Sequence, residues 1–165
     1  MKIIIEPYNS SWETNYKEES QHLENSIKES GIRIEHIGST AIKGLGAKPI
    51  IDIMIGLKDF SKADVYVPKI VSLGYQYISK FEDVMPYRRF FIKEINGKRT
   101  CHIHMVEQET EFWVRHLKFR NHLRNDNEDR DKYFELKMNL SKKEWNNSNE
   151  YADAKSEFIK SIEEK

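Results

Sequence analysis

The chain predicts an α+β fold: a small mixed β-sheet with helices packed on one face and a helical C-terminal part. Three observations carry that prediction. Asn96-Gly97 separates two runs rich in aromatic and β-branched residues, "YRRFFIKEI" and "KRTCHIHMVE", the mark of a tight type I′ hairpin. "PIIDIMIGL", residues 49–57, is a nearly continuous apolar run, and its β-branched content favours a buried strand over a helix of that length. Beyond about Gln108, apolar residues recur at helical spacing. The order helix, mixed strands with a helix, hairpin, then helices gives α+β.

Taken in order, "NSSWETNYKEESQHLENSIKES" opens with a cap-like Ser10-Ser11 and Glu13, then places Trp12, Tyr16, Leu23 and Ile27 at amphipathic-helix positions. "IRIEHIG" is a short strand ending at Gly38. After the buried strand, "SKADVYVPKIVSLGY" predicts a helix that Pro68 kinks or restarts. The hairpin follows. Phe112, His116, Phe119 and Leu123 then form one helical stripe. The polar "NDNEDRD" predicts a turn, Tyr133, Leu136 and Leu140 begin another helix, and Tyr151, Ala154, Phe158 and Ile162 share a face of a closing helix. Residues 1–165 read as one domain, with 1–108 bearing the sheet and 109–165 helical.

Composition narrows the function classes. Lys plus Arg total 27 and Asp plus Glu total 27, so no global field exists for gripping nucleic acid or an anionic membrane, and neither partner is expected. Cys101 is the single cysteine, which removes any intrachain disulfide framework and makes a reducing compartment the default. The three-Ile run in "MKIIIEPYNSSW" is too short for a secretory or membrane segment, so the expected location is cytoplasmic.

The chemistry concentrates in two places. A two-residue turn at Asn96-Gly97 sets Ile95 opposite Lys98, hence Phe91 opposite His102 and Arg89 opposite His104. Arg89, Phe91, Lys93, Thr100, His102 and His104 are then expected on one face. Two histidines at i and i+2 on a strand can converge on one metal, although such a pair on a half-wet sheet is often structural. Asp52 is an acid inside an Ile/Met strand, where it must be solvated, hydrogen-bonded, paired with a cation such as Lys48 or Arg89, or bound to a metal. Gly38-Ser39-Thr40 offers amides and hydroxyls to an anion, or a plain helix cap. Arg120, Arg124, Lys137 and Lys155 on the later helices read as solvated or packing residues. No P-loop, dinucleotide fingerprint or nucleophile elbow is present.

Gly38-Ser39, twelve intervening residues, then Asp52 between Ile51 and Ile53 resembles the opening half of the nucleotidyltransferase superfamily motif, a Gly-Ser turn ahead of a strand bearing Asp-x-Asp/Glu. More narrowly, "EHIGSTAIKGLGAKPIIDIMIG" resembles the signature of the GrpB family. "IEPYNSSW", "TCHIHMV", "FRNHLR", "YFELK" and "YADAKSEFI" extend the likeness over nearly the whole chain. The resemblance implies a nucleotidyltransferase-like fold. It also exposes a departure, because Met54 stands where the second acid belongs. One aspartate cannot hold the two Mg²⁺ ions of nucleotidyl transfer. His102 and His104 fall on the strand where the superfamily places a third acid. Imidazole prefers Zn²⁺, Mn²⁺, Fe²⁺ or Ni²⁺ to Mg²⁺. The expected cofactor is therefore one divalent ion on Asp52, His102 and His104, with positions left open. Gly38, Ser39, Thr40, Lys48 and Arg89 would bind the substrate, and Asp52, Ser39 and Arg89 would carry catalysis. The expected activity is metal-assisted group transfer or hydrolysis on a small anionic or nucleotide-like molecule. The alternative is a non-catalytic ligand-binding protein that kept the fold after losing the acid at Met54.

Overall fold

The computed structural model describes residues 1–165. Its elements run α1 (Ser11–Ile27), β1 (Arg33–Ile37), a 3-10 turn (Ser39–Ala41), β2 (Ile51–Leu57), α2 (Ala63–Val71), β3 (Gln76–Ile78), β4 (Arg89–Ile95), β5 (Lys98–Glu107), α3 (Glu111–Asn125), α4 (Asn127–Ser141), α5 (Ser148–Asp153) and α6 (Ser156–Glu163). The strands form one sheet in the order β1-β2-β5-β4-β3. β2 and β5 are parallel and every other pair is antiparallel. A mixed α+β architecture results, and no helix is long and apolar enough to cross a membrane.

Period-two alternation divides the sheet. Ile51, Ile53 and Ile55 of β2 join Phe91, Cys101, Ile103 and Met105 on one face, where Trp12, Leu23 and Ile27 of α1 and Tyr66 and Ile70 of α2 cover them. The expected packing of helices on one face describes α1 and α2. On the other face α3 lays Phe112 and Trp113 against Ile37, Met54 and Val106. Gly56 makes that approach possible, because a Cβ there would stand 2.4 Å from the Trp113 ring. α3, α4 and α6 then meet around Phe119, Leu123, Tyr133 and Ile162, raising a helical wall beside the uncovered part of the sheet.

Local signals were mostly realised, with instructive exceptions. Asn9, ahead of the Ser pair, caps α1 by accepting from the Ser11 amide at 2.9 Å. Pro68 lies inside α2 without ending it, since the carbonyl it leaves unbonded is that of Asp64 in the exposed first turn. "NDNEDRD" is mostly helix, because Asp126 accepts from the Asp129 amide and starts α4 one residue after α3 ends. The closing helix is divided into α5 and α6.

The hairpin register is the important correction. Ile95 does face Lys98, and Glu94 faces Arg99, but a bulge between Lys93 and Glu94 then leaves Thr100 without a partner. From there Ile92 faces His102 and Phe90 faces His104. One inserted residue transfers every later side chain of β4 to the opposite face. Phe90 and Ile92 consequently accompany the histidines, while Phe91 enters the main core and Arg89 leaves the predicted site. Arg89 instead donates to Asp64 at 2.9 Å and lies 3.5 Å from Glu82.

Candidate functional site

The parallel β2–β5 pairing sets Asp52 beside His102 and Met54 beside His104 on the face left open by the first two helices. Asp52 Oδ1 stands 3.5 Å from His102 Nδ1 and 3.4 Å from His104 Nε2. Burial alone would raise the Asp52 pKa, but its contacts with the two imidazoles outweigh this and hold it well below the carboxylate range. The side chain keeps 30% of its surface open to the cleft. Burial draws His104 below the usual imidazole range, against the pull of Asp52. Arg88, the neighbour of the predicted Arg89, places a guanidinium nitrogen 3.2 Å from His104 Nδ1 and lies 4.6 Å over the Phe90 ring. A guanidinium only donates, which assigns the acceptor role to Nδ1 and leaves the Nε2 hydrogen facing Asp52.

Gly38 closes the back of this group. Its φ of 72° and ψ of −174° belong to a region that is essentially glycine's alone. A Cβ there would lie 2.8 Å from Asp52 Oδ2. Gly38→Ala is expected to cost ~1–3 kcal/mol in stability and to displace the carboxylate. Chemical denaturation checks the first effect, and weakened ligand or ion binding in the folded variant checks the second.

Asp52 lies where two compartments of one cleft meet. The smaller has a volume of about 150 Å³ and is walled by Lys48, Lys137, Lys155 and Tyr151. The larger, about 570 Å³, runs along α3 and α6 past His116, Phe119 and Ile159. Ser39, Asp52, His102 and Lys155 line both. Burial pushes Lys137 down to about 7 and Lys155 down to about 8, and it also lowers Lys48. His116 is pushed down to about 4 by burial. Its Nδ1 donates to the Phe112 carbonyl at 2.7 Å, so a neutral ring remains with its second nitrogen free to accept.

Of the residues expected at the site, Asp52, His102, His104, Gly38, Ser39 and Lys48 come together. Thr40 touches the small compartment, but its hydroxyl is engaged by His36 at 2.9 Å and donates to the Ile50 carbonyl at 3.4 Å. Arg89 is on the other face. The sequence reading missed Arg88, Lys137, Lys155 and His116, of which Lys137 and His116 lie on helices and Lys155 at the turn into α6, segments whose docking no local signal encodes.

The donors were compared with the needs of a single ion. Ligands of a tetrahedral ion at ~2.1 Å stand roughly 3.4 Å apart, which matches each Asp52–imidazole separation. His102 Nε2, not the ring nitrogen that faces Asp52, is buried without a partner. The two rings flank the carboxylate, however, and the trio whose donors all lie within 4.8 Å of one another is His122, Asp126 and Asp129. There the Lys165 ammonium sits 2.7 Å from Asp129. The Asp52 group fits one ion in donor type and in both Asp52–imidazole spacings, and closing it requires an imidazole to rotate and His104 Nε2 to give up the hydrogen it turns toward Asp52.

Comparison with known proteins places these features. The family model described as GrpB protein matches residues 2–165. A UPF0157 protein of Halalkalibacterium halodurans is 33% identical over 97% of this chain and 80% of its own. The glutamate-rich protein GrpB of Alkalihalophilus pseudofirmus is 30% identical over 98% of this chain and 94% of its own. The crystal structure of conserved protein GrpB from Enterococcus faecalis superposes with a TM-score of 0.87 at 34% identity, covering 98% of this chain and 95% of that one. The Cid1 poly(U) polymerase in its Mg 3′-dATP complex gives a TM-score of 0.57 at 9% identity, over 84% of this chain and 43% of that one, a likeness of fold alone.

Proposed function

The chain belongs to the GrpB family and has a nucleotidyltransferase-like fold, and from that premise we propose that it catalyses metal-assisted group transfer or hydrolysis on a small anionic, nucleotide-like molecule. The observation that carries this reading is the Asp52 carboxylate held between two imidazoles on the floor of a cleft whose adjoining wall is cationic. Asp52, His102 and His104 would hold one transition-metal ion, whose chemistry when bound is Lewis-acid polarisation of an anionic oxygen. Ser39, at the junction of the compartments, would hydrogen-bond the reacting group, and Lys48 would offset developing charge. Arg88, 3.2 Å from His104 Nδ1, is the arginine that stands beside the site in place of Arg89. The larger compartment, about 570 Å³, suits a small organic molecule, for which ~300–1,000 Å³ is usual. A nucleotide-like substrate also draws on the fold shared with the nucleotide-bound Cid1 polymerase.

Met54 favours a second reading, a binding protein without turnover. It is fully buried among Ile37, Val106, Phe112 and Trp113, so the position of the second acid now belongs to the core. Metal analysis of tag-free protein incubated with Zn²⁺ or Mn²⁺, with melting followed in parallel, separates the two. The enzyme reading expects one ion per chain and a metal-induced rise in melting temperature that Asp52→Ala abolishes. Wild-type protein that retains no ion contradicts it and leaves the binder.

A further inference from the structure

We infer that the small compartment beside Asp52 is a condensed-phosphate pocket that binds a di- or triphosphate group without any metal ion, three lysine ammonium groups supplying the charge a second ion would otherwise bring. The inference deepens the proposed function by naming the substrate's anionic end, and it is testable apart from the metal.

Four observations converge on this pocket. First, Lys48, Lys137 and Lys155 arrive from the loop before β2, from α4 and from the start of α6, and all three line it. None of the three forms an ion pair and none is exposed, whereas every other lysine without an ion pair stands at the surface. Second, the three are held close to one another by aromatic rings and backbone. The Lys155 and Lys48 ammonium groups lie 4.5 and 5.6 Å from the centroid of the Tyr151 ring. Lys137, only 2% exposed, donates to the Gly46 carbonyl at 2.5 Å and lies 5.1 Å from the Tyr133 ring. Gathering like charges in a low-dielectric pocket is unfavourable unless an anion joins them. Third, the two buried side-chain polar atoms that lack any partner, Tyr151 Oη and His102 Nε2, belong to residues of this one pocket. The Tyr151 phenol is a donor awaiting an oxygen, and the residue is 3% exposed. Fourth, Asp52 is the one acid in the lining.

The charge balance selects the ligand class. Three ammonium groups against one carboxylate leave a surplus that a single carboxylate ligand would not neutralise. A condensed phosphate matches it and supplies several oxygens for the lysines and the phenol. The volume of about 150 Å³ exceeds what a water or two would fill. Met54 gives the arrangement its reason. With the second acid gone the site cannot hold a second ion, and fixed ammonium groups do the same electrostatic work.

Inorganic tripolyphosphate titrated calorimetrically into the full chain in excess EDTA tests this. Saturable one-to-one binding is expected, weakened at least ~10-fold in Lys137→Met and in Lys155→Met. Tyr151→Phe is expected to weaken binding while leaving the ligand-free protein as stable as wild type or more so, because the lost hydroxyl has no partner. Lys143→Met, on an exposed surface, controls for loss of general charge and should bind as wild type. Absence of heat in EDTA with binding restored by Mg²⁺ or Mn²⁺ would overturn the inference, as would equal affinity in all the lysine variants. Wild-type protein that binds tripolyphosphate but retains no ion ends the metal reading alone, and the converse ends this one alone.

Discussion

Asp52→Asn is expected to lower ion affinity by well over ~100-fold and to remove turnover with it, the largest functional effect of any single substitution in this protein. Changes to groups that merely orient a metal ligand already cost about 10–100-fold, so loss of the ligand itself exceeds that. The geometry explains why so conservative a change is severe. One carboxylate oxygen lies 3.5 Å from His102 and 3.4 Å from His104. Asparagine can set only an uncharged amide oxygen between the two rings, which weakens both contacts and the hold on a cation. A stability signature accompanies the loss. Because Asp52 titrates below its unfolded value, its contribution is present above about pH 4 and disappears as acid protonates it in the folded state. The Asn variant should therefore be less stable at neutral pH, by on the order of 1–3 kcal/mol, with the difference vanishing in acid. Ion titration followed by denaturation at pH 7 and in acid checks both halves. An Asn variant that binds ions normally would remove Asp52 from the site.

Lys137→Met is expected to do the opposite to stability while destroying anion binding. Burial lowers the Lys137 pKa to about 7, against roughly 10.4 in an unfolded chain. Between those values the unfolded state holds more protons, so stability rises with pH. Below about 7 the protein bears the full penalty of a buried ammonium, which the shift sets at up to about 5 kcal/mol. Orphaning the Gly46 carbonyl returns about 1–3 kcal/mol of that to the variant's disadvantage. A net gain of about 2–4 kcal/mol is expected for the ligand-free variant at pH 6.5. The gain shrinks as pH rises toward about 10.4 and is lost above it, where Lys137 is neutral in both states. Paired denaturation curves at pH 6.5 and 9.5 decide it. A variant less stable than wild type at both values would show that Lys137 serves the fold and not a ligand.

The two sets of residues differ in how far the sequence revealed them. Asn96-Gly97 fixed a turn because type I′ geometry is encoded in two adjacent residues. Nothing local encodes the bulge at Lys93/Glu94, and alternation counted through it exchanged Arg89 for its neighbour Arg88. Asp52 and the two histidines stood out because acid and imidazole interrupt apolar alternation, yet their meeting depends on the parallel pairing of β2 with β5, strands 50 residues apart in register. Lys137 and Lys155 looked like ordinary helix-surface lysines. Their burial follows from how α4 and α6 dock against the sheet, a tertiary outcome no spacing announces. The polar run "NDNEDRD" was read as a turn because Asn and Asp favour turns and helix caps alike, and the Asp126 cap that starts α4 was passed over. β3, only three residues long, gave too little pattern to detect.

Anomalous diffraction from crystals of the wild-type protein soaked in Zn²⁺ or Mn²⁺ asks most directly whether an ion belongs beside Asp52. The expected result is one dominant peak roughly 2.0–2.2 Å from Asp52 Oδ1, with both imidazoles ligating it. A peak confined to His122, Asp126 and Asp129, or an Asp52 still flanked by two unmetallated rings at saturating ion, would contradict it.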